Sequence, residues 1–302
     1  MNPRGFEVEA VEYARQRDDL LRVRETVFVQ EQHVPLEEER DALDPLCSHV
    51  LARDDAGQPI GTGRLTPEHR IGRMAVLREW RGRGVGDALL VALLEQARLQ
   101  RWPELTLNAQ VSAESFYARH GFVPYGPRFH EAGIEHQAMR RRLDGATAVE
   151  DPAGARAALL ALANGTHRRL CLYSRDLEPS LFDAPEVLDA LRRLATRSGP
   201  AEIRVLLQDA GTPQRRLAPL LPLAQRLPSV FLFREVHDPV DRNYPSAFAV
   251  NDADGYYFRP LGHRFEGETD QDAGGRARQL REEFSQIWER SRSCTEYRAL
   301  GL

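Results

Sequence analysis

Apolar positions recur along the chain with two different periods, and they predict a mixture of helices and strands. Val85, Leu89, Ala92 and Leu93 fall at positions i, i+4, i+7 and i+8, which predicts one buried helix face. Shorter apolar runs predict strands, and Gly57-Gln58-Pro59 predicts a hairpin turn. In the first half the pattern gives helices near 18–30, 85–100 and 113–120, and strands near 6–13, 49–53, 60–65, 71–76, 105–108, 136–140 and around Phe122.

The second half shows the same alternation and predicts a second α/β unit. Asp183, with Glu186 three residues later and Pro185 between them, predicts a capped helix start for a helix that reaches about Arg197. Asp252-Ala253-Asp254-Gly255 predicts a hairpin. Further helices are expected near 155–163, 215–225 and 276–290, and strands near 169–173, 203–208, 230–234, 247–250 and 256–259.

The length of 302 residues predicts about two domains, at roughly 150 residues per domain. Small residues, acids and one proline fill 145–154, directly after the basic run Arg140-Arg141-Arg142, as is typical of a linker. We therefore expect one domain over 1–144, a linker over 145–154 and a second domain over 155–302.

Charge and composition exclude several classes of protein. The net charge of -4 gives no general attraction to nucleic acid. The chain has no lysine, so all 41 basic residues are arginine and every mechanism that needs a lysine amine is excluded. Cys47, Cys171 and Cys294 are far apart, which argues against a disulfide framework or a metal site. No apolar run reaches the roughly 18 residues of a membrane span, and no signal segment is visible, so we expect a cytoplasmic protein.

The segment 71–86 has the strongest chemical signal. A predicted strand leads into the glycine-rich, basic turn Arg81-Gly82-Arg83-Gly84-Val85-Gly86, and a predicted helix follows. Glycines let a ligand approach the backbone, and a helix start offers unpaired N–H groups and a partial positive charge. The segment therefore suits a pyrophosphate, although a tight turn with solvated arginines would have the same composition.

This turn resembles the signature of the GNAT superfamily of acyl-CoA-dependent N-acyltransferases: an Arg or Gln, two residues, Gly, one residue, then Gly or Ala. Arg81, Gly84 and Gly86 match it. Further segments resemble the ElaA-like branch, and the resemblance covers about 5–143: 28–35, the acids Glu39, Asp41 and Asp44, 116–122 and 129–136. It implies a mixed central sheet of about six or seven strands, flanked by helices and splayed apart where the pantetheine arm of the cofactor inserts.

The resemblance also implies roles for individual residues, with acetyl-CoA as cosubstrate. The backbone of Met74, Ala75 and Val76 would lie along the pantetheine, and the Val76 amide would polarise the thioester carbonyl. Asn108, placed just after the fifth main strand, would contact the pantetheine. The remaining cofactor contacts would be Ser115 and Phe116 near the thiol end, and Arg81, Gly82, Arg83, Gly84, Val85 and Gly86 at the pyrophosphate.

Two catalytic candidates follow. Tyr117 occupies the position where many members of the superfamily place a general acid for the departing thiolate, although a tyrosine there could also simply pack under the cofactor loop. The acidic stretch 37–44, and Glu39 within it, could attract a cationic amine and take its proton through water. The same stretch could be a solvated acidic loop, and His69, His130 and His136 are alternative bases.

The second half resembles a phospholipase D-like domain over 172–208 and 284–288, but its catalytic motif is absent. That superfamily needs His-x-Lys-x-x-x-x-Asp, whereas Ser246 and Phe248 stand where its His and Lys are expected. His263 and Asp270 copy the spacing with Phe265 in place of the cation. We therefore expect an accessory, non-catalytic α/β domain that packs on the transferase, dimerises or binds a ligand.

Two functions remain open at this point. The first is an N-acetyltransferase that transfers an acetyl group from acetyl-CoA to a primary amine of a small molecule or a peptide. The second is a regulatory protein that senses acyl-CoA, or binds another ligand, without turnover. Thiol release in the presence of amines separates them. A homodimer is possible, and neither nucleic acid nor a membrane is expected as a partner.

Overall fold

The computed structural model describes residues 5–297, except the side chain of Glu296. The chain forms two compact units. The first contains the residues up to Gln110 together with Pro127–Ala138, and the second contains Val111–Gly126 together with the residues from Met139 onward. The units alternate along the sequence because one strand, which begins at Ile134, continues from the first into the second.

The first sheet contains eight strands within the described residues, slightly more than expected because two of them are very short. Its order is β1-β2-β3-β4-β5-β8-β6, with β7 paired to β8; β6 pairs with the part of β8 that belongs to the second unit. The strands are β1 Phe6–Val11, β2 Ser48–Asp54, β3 Pro59–Thr66, β4 Arg70–Val76, β5 Glu104–Gln110, β6 Val123–Pro124, β7 Phe129–Glu131 and β8 Ile134–Arg142.

Local sequence explains the middle of this sheet. Every residue of β3 is buried, as expected for a central strand. The predicted hairpin joins β2 to β3, and Gly57 supplies the left-handed conformation of its turn, with φ +78°. Consecutive antiparallel hairpins therefore bring β4 to the centre of the sheet.

The helices of the first half are α1 Tyr13–Arg24, α2 Leu36–Glu39, α3 Val85–Leu99 and α4 Glu114–Arg119, of which α4 belongs to the second unit. The helix predicted near 18–30 is corrected: it begins at Tyr13 and changes at Glu25 into a π-helical segment, Glu25–Glu31. The buried face of α3 carries its apolar residues Val85, Leu89, Leu90, Leu93, Leu94 and Ala97.

The second sheet lies within the second unit, with the order β16-β12-β11-β10-β13-β14-β15-β9. Strands β10, β11 and β12 are parallel and the other pairs are antiparallel. The strands are β9 Thr147–Val149, β10 Arg169–Ser174, β11 Glu202–Leu207, β12 Phe231–Glu235, β13 Ala247–Asn251, β14 Tyr256–Arg259, β15 Gly267–Asp270 and β16 Arg292–Ser293. The helices are α5 Pro152–Gly165, α6 Pro179–Phe182, α7 Pro185–Thr196, α8 Gly211–Arg215, α9 Leu220–Arg226, α10 Pro239–Arg242 and α11 Gly274–Arg290.

The predicted linker has regular structure in part. Residues Thr147–Val149 form β9, which pairs with β15, and α5 begins at Pro152 instead of near Ala155. Asp151 explains the early start, because its carboxylate accepts a hydrogen bond from the Gly154 amide at 2.7 Å and proline is favourable in the first helical turn. The domain boundaries themselves stay a prediction.

Two helix predictions in the second half need correction. Asp183 does not cap a helix; it ends α6, and its carboxylate pairs with Arg216 at 2.6 Å. The helix expected near 215–225 is interrupted between α8 and α9, since Leu217 has a φ of +56° and Pro219 precedes α9.

The core of the second unit lies on both faces of its sheet. Phe248 and Val250 join a cluster with Phe284 and Trp288 of α11. Side chains alternate along a strand, so Ala247 and Ala249 face the other side of the sheet. On that side the alanine-rich α5 contacts β13. Among residues 5–297, no helix is both long and apolar enough to cross a membrane.

Candidate active site

The first sheet opens between β4 and β5. These parallel strands pair at Arg70 with Thr106 and at Ile71 with Leu107, and the described register pairs no residue of β4 beyond Ile71 with β5. Gly72–Val76 therefore presents a strand edge to a gap inside the sheet. Backbone N–H groups along such an edge are available to a ligand.

The Val76 amide points into this gap. The Leu77 amide donates to the Ile60 carbonyl at 2.9 Å, so these two residues form a hydrogen-bonded pair with β3. Gly61 and Val76 are the next pair in the register. Because hydrogen-bonded and non-hydrogen-bonded pairs alternate in an antiparallel ladder, the Val76 N–H points away from β3 and towards the open edge.

Arg73 fastens β4 to helix α2. Its Nε donates to the Glu39 carbonyl at 3.2 Å, and its Nη2 donates to the Glu38 carbonyl at 2.9 Å. Arg73 has a φ of +50°, and the pairing of β3 with β4 shifts register between Thr62 and Arg64. Burial, with help from neighbouring guanidinium groups, lowers the pKa of Arg73. A bulge thus turns this arginine out of the regular strand pattern and towards α2.

The glycine-rich turn lies at the start of α3, as the sequence predicts. Gly82 has a φ of +72°, and Gly84 has a φ of +83° and is the N-cap residue of the helix. No side chain caps this end. The first N–H groups of a helix have no acceptor within it, so Val85 and Gly86 offer donors at the positive end of the helix dipole.

The Arg81 side chain has other partners in this structure. Its guanidinium pairs with both carboxylate oxygens of Glu31, at 2.6 and 2.7 Å, and its Nε donates to the Val76 carbonyl at 3.0 Å. Hydrogen bonding by Arg81 lowers the pKa of Glu31. Arg83 lies over the Trp80 ring, 5.0 Å from its centroid. The Arg81 guanidinium is therefore engaged by residues of its own unit.

A buried network of charges lies in the same unit. Arg24 pairs with Glu39 and, at 2.9 Å, with Asp44. Arg64 pairs with the other oxygen of Asp44 and with Asp41. The side chains of Arg24, Glu39 and Asp44 are at most 1% exposed. Such charges are tolerated in an interior only when they are paired and hydrogen-bonded, and these pairs hold the acidic stretch against α1 and β3.

One oxygen of this network lacks a partner. Glu39 Oε1 pairs with Arg24, but Oε2 is buried and accepts no hydrogen bond from the residues described. Both carboxylate oxygens of Asp41 and Asp44 are engaged. Although burial acts to raise it, the Leu43 amide and the Arg64 guanidinium together hold the pKa of Asp41 below its usual range.

The other candidates of the first unit have local partners. Asn108 lies within β5, not after it as expected, and its amide donates to Glu131 at 3.2 Å. His69 stacks on Trp102 with 4.3 Å between ring centroids. His136 is largely buried and its Nδ1 lies 2.8 Å from the Ile134 carbonyl, whereas His130 is exposed.

Ser115, Phe116 and Tyr117 lie together on α4, in the second unit. The Tyr117 ring contacts Phe116 and Phe122 edge to face, with centroids 4.9 and 6.1 Å away. The side chain is buried, and burial raises the pKa of its hydroxyl. Tyr117 therefore keeps its proton at neutral pH, as a general acid must.

The residues that organise this region carry little local signal in the sequence. Arg24 ends an otherwise ordinary amphipathic helix, and Arg64 lies within the fully buried strand β3. An arginine inside a strand that is buried throughout does indicate a buried carboxylate partner. The partner of Arg81, Glu31, is 50 residues away in sequence and carries no local signal.

Comparisons with known proteins agree with the geometry of the first half. The family model described as "Acetyltransferase (GNAT) domain" matches residues 11–143, and "Domain of unknown function (DUF7931)" matches residues 151–300. The chain is similar to the Uncharacterized N-acetyltransferase YjcF of Bacillus subtilis, 38% identical over 130 residues, which are 42% of this chain and 92% of that protein. It is 37% identical over 148 residues to the UPF0039 protein Rv2851c of Mycobacterium tuberculosis, covering 46% of this chain and 91% of that protein.

Solved structures are similar to the same part of the chain. An acyl-CoA N-acyltransferase from Pseudomonas aeruginosa is 32% identical, with a TM-score of 0.42, covering 45% of this chain and 99% of that one. Escherichia coli ElaA is 28% identical, with a TM-score of 0.41 and the same coverage.

The opened sheet and the glycine-rich helix start, taken with the family match, place the first half among the N-acyltransferases. The chain belongs to the GNAT family, through its first half. The phospholipase D-like character of the second half stays a prediction, because the match there is to a domain of unknown function.

Proposed function

We propose that this protein transfers an acetyl group from acetyl-CoA to a primary amine by direct attack of the amine on the thioester. One observation carries the proposal: β4 separates from β5 after Ile71 and leaves the Val76 amide facing the gap, in the unit that also holds the open start of α3. A pantetheine arm needs the first feature and a pyrophosphate needs the second.

The cofactor contacts follow the backbone. The strand edge formed by Met74, Ala75 and Val76 would hydrogen-bond the amide groups of the pantetheine. The amides of Gly82–Gly86 would hold the pyrophosphate, and the Arg81 side chain would support the turn through Glu31 and the Val76 carbonyl. Asn108 would reach the pantetheine from β5, and Ser115 and Phe116 would lie near its thiol end.

The proposed reaction forms a carbon–nitrogen bond and breaks a carbon–sulfur bond. As the amine nitrogen attacks the thioester carbon, the carbonyl oxygen gains negative charge, which the Val76 N–H would stabilise. When the intermediate collapses, the electron pair goes to sulfur and the Tyr117 hydroxyl would protonate it. A thiol near pKa 8.5 is already a good leaving group, so this acid contributes modestly.

The amine must lose a proton, and we propose Glu39 as the acceptor. Its Oε2 is the buried carboxylate oxygen of the network that lacks a donor among the described residues. Because the Glu39 side chain is buried beside Arg24, the amine would pass its proton to Oε2 through an intervening water molecule. The three histidines remain alternatives, and Glu39→Gln, which keeps the shape and leaves an oxygen for Arg24, tests the assignment.

For the second half we propose an accessory role without phosphodiesterase chemistry, over 155–302. Phe248, at the position of the expected catalytic lysine, is buried in the core, and the Ser246 hydroxyl donates to the Pro260 carbonyl at 3.0 Å. Phe265 lies beside Arg259, 5.9 Å from its guanidinium carbon. We expect an amine substrate, a possible homodimer and no nucleic acid partner. The three cysteines, which form no disulfide, favour the cytoplasm.

The test combines binding with turnover. Calorimetry with acetyl-CoA measures the cofactor site, and thiol release measures transfer to a panel of small amines, polyamines, peptide N-termini and lysine peptides. We expect saturable binding, and thiol release that depends on an amine. Binding without thiol release from any amine would instead indicate a sensor, and absence of binding would contradict the proposal altogether.

A further inference from the structure

The helix that carries Tyr117 is too short to be stable by itself. It has six residues, Glu114–Arg119, whereas isolated helices shorter than about 12 residues are marginal in water. The last carbonyl groups of a helix also need hydrogen-bond donors from outside it. The contacts made by the C-terminal end of α4 therefore decide how firmly Tyr117 is held.

Side chains of the second unit close that end. Asn164 of α5 donates its Nδ2 hydrogen to the Arg119 carbonyl at 3.2 Å. Arg141 donates from Nη1 to the His120 carbonyl at 2.6 Å and pairs through Nη2 with Asp272 at 3.2 Å. We call Asn164, Arg141 and Asp272 the clamp. Asn164 and Asp272 both lie in the segment that matches the domain of unknown function.

The chain also passes very close to this segment just after α4. Gly121 has a φ of +84°, and a Cβ atom there would lie 2.8 Å from Cγ of Gln271, the residue before Asp272. Glycine is required for both reasons. The turn that ends α4 is thus held by hydrogen bonds on its carbonyls, and its outer side lies too close to Gln271 to admit a side chain at Gly121.

The clamped turn is bonded directly to Tyr117. The Tyr117 carbonyl accepts from the His120 amide at 2.9 Å and from the Phe122 amide at 3.2 Å. The Phe122 ring also packs against the Tyr117 ring. A shift of residues 119–121 would therefore move the backbone and the ring of Tyr117 together.

We propose that the domain of unknown function positions the general acid of the transferase through this clamp. Asn164 and Asp272 are positioning residues: they contact no reacting atom and act through α4. The inference rests on the proposed function, because the position of Tyr117 matters to turnover only if its hydroxyl protonates the thiolate. It gives the second half of the chain a part in the reaction without any chemistry of its own.

The test uses the full chain with Asn164→Ala and Asp272→Asn combined. Losing a hydrogen bond and an ion pair should speed amide hydrogen exchange over 114–121 by about fivefold. We expect kcat for amine-dependent thiol release to fall by about three- to tenfold, since small displacements of a catalytic group are costly. KM for acetyl-CoA should stay within about twofold of the parent value.

The Tyr117→Phe background distinguishes positioning from general damage. If the clamp acts through the Tyr117 hydroxyl, adding the clamp substitutions to Tyr117→Phe should leave kcat unchanged. Arg156→Ala is the matched control: Arg156 lies on the same helix, α5, but its described partners are Ser180 and, at 3.0 Å, Glu186. This control should alter neither hydrogen exchange over 114–121 nor kcat.

Three outcomes would overturn the inference. Unchanged hydrogen exchange over 114–121 would show that the clamp does not hold α4. An equal loss of kcat in the parent and in the Tyr117→Phe background would show that the clamp residues act elsewhere, with the proposed function intact. A Tyr117→Phe variant with parental kcat, or a parent without turnover, would remove the proposed function and this inference with it.

Discussion

The two sheets of this protein differ most in their parallel ladders. In the second sheet β10 pairs with β11 at six successive residues, from Arg169 with Glu202 to Ser174 with Leu207. In the first, β4 and β5 pair at two residues and then separate. A continuous ladder uses its backbone groups within the sheet, whereas an interrupted one leaves them for a ligand. The chemistry of the first sheet can therefore be carried by the backbone, but that of the second must come from side chains.

The buried charges of the two units differ as well. In the first unit Asp44 bridges two arginines, Arg24 and Arg64, in a network of five charged side chains close to β4. In the second unit Arg259 pairs with Glu178 at 3.1 Å. Burying charges costs free energy unless each finds a partner, so a larger network is more sensitive to the loss of one member. In the first unit, the loss of one member such as Asp44 would therefore break several buried ion pairs at once.

The largest effect is expected where one carboxylate serves two cations. Asp44→Ala leaves the Arg24 and Arg64 guanidiniums buried and short of a partner. We expect the free energy of unfolding to fall by about 3–5 kcal/mol, as when one partner of a buried ion pair is removed. Urea titration measures it. Asp19→Ala, which removes a carboxylate 2.8 Å from the more exposed Arg53, should cost less than about 1 kcal/mol. If Asp44→Ala and Asp19→Ala lowered the free energy of unfolding equally, the first sheet would not depend especially on the buried charge network around Asp44.

The next effect concerns the glycine-rich turn, where we propose that the pyrophosphate binds. Gly84→Asp forces a side chain into a left-handed conformation, with φ +83°, and places negative charge where a pyrophosphate would lie. We expect acetyl-CoA affinity to fall by at least about a hundredfold, or 2.7 kcal/mol. Calorimetry measures this loss. Gly57→Asp is the control, because Gly57 has a similar φ of +78° and open space around it in a hairpin turn. A comparable loss of acetyl-CoA affinity in Gly57→Asp would mean that backbone strain, and not a substitution at the proposed pyrophosphate site, lowers the affinity.

Tyr117→Phe tests the proposed chemistry with the smallest structural change. We expect kcat to fall by about a hundredfold with acetyl-CoA affinity unchanged. An ordinary tyrosine loses its proton near pH 10. Because burial raises the pKa of Tyr117, kcat of the parent should not fall near pH 10 through loss of this proton. Saturating kinetics across pH measure both. Parental kcat in the variant would leave Tyr117 as a packing residue only.

Local pattern predicted the elements well because most of them bury one regular face. The hairpin at Gly57, the helix α3 and the strand β4 were predicted almost to the residue. Helix ends were less predictable, since they depend on distant partners. Asp183 has the sequence of a cap, yet Arg216 takes its carboxylate, and this partner is 33 residues away.

The site divides in the same way. The position of the glycine-rich turn at the start of α3 could be predicted, because glycines followed by a helical apolar pattern are a local signal. Its role in cofactor binding stays a prediction. The side-chain part of the site could not be predicted: neither the pairing of Arg81 with Glu31 nor the network around Asp44 follows from spacing. The sequence also does not indicate that Asn164, beyond the predicted linker, bonds to the helix of Tyr117.

The smallest expected effect distinguishes the backbone of the glycine-rich turn from the side chain of Arg81. If the backbone of Gly82–Gly86 holds the pyrophosphate, the Arg81 side chain matters mainly through its pair with Glu31, and both side chains are more than a third exposed. Exposed pairs contribute little, so Glu31→Gln should change unfolding free energy by less than about 1 kcal/mol and acetyl-CoA affinity by less than about threefold. Calorimetry and urea titration measure these changes. A tenfold gain in affinity would instead mean that the released guanidinium binds phosphate directly, and the first sheet would then depend on side chains as the second does.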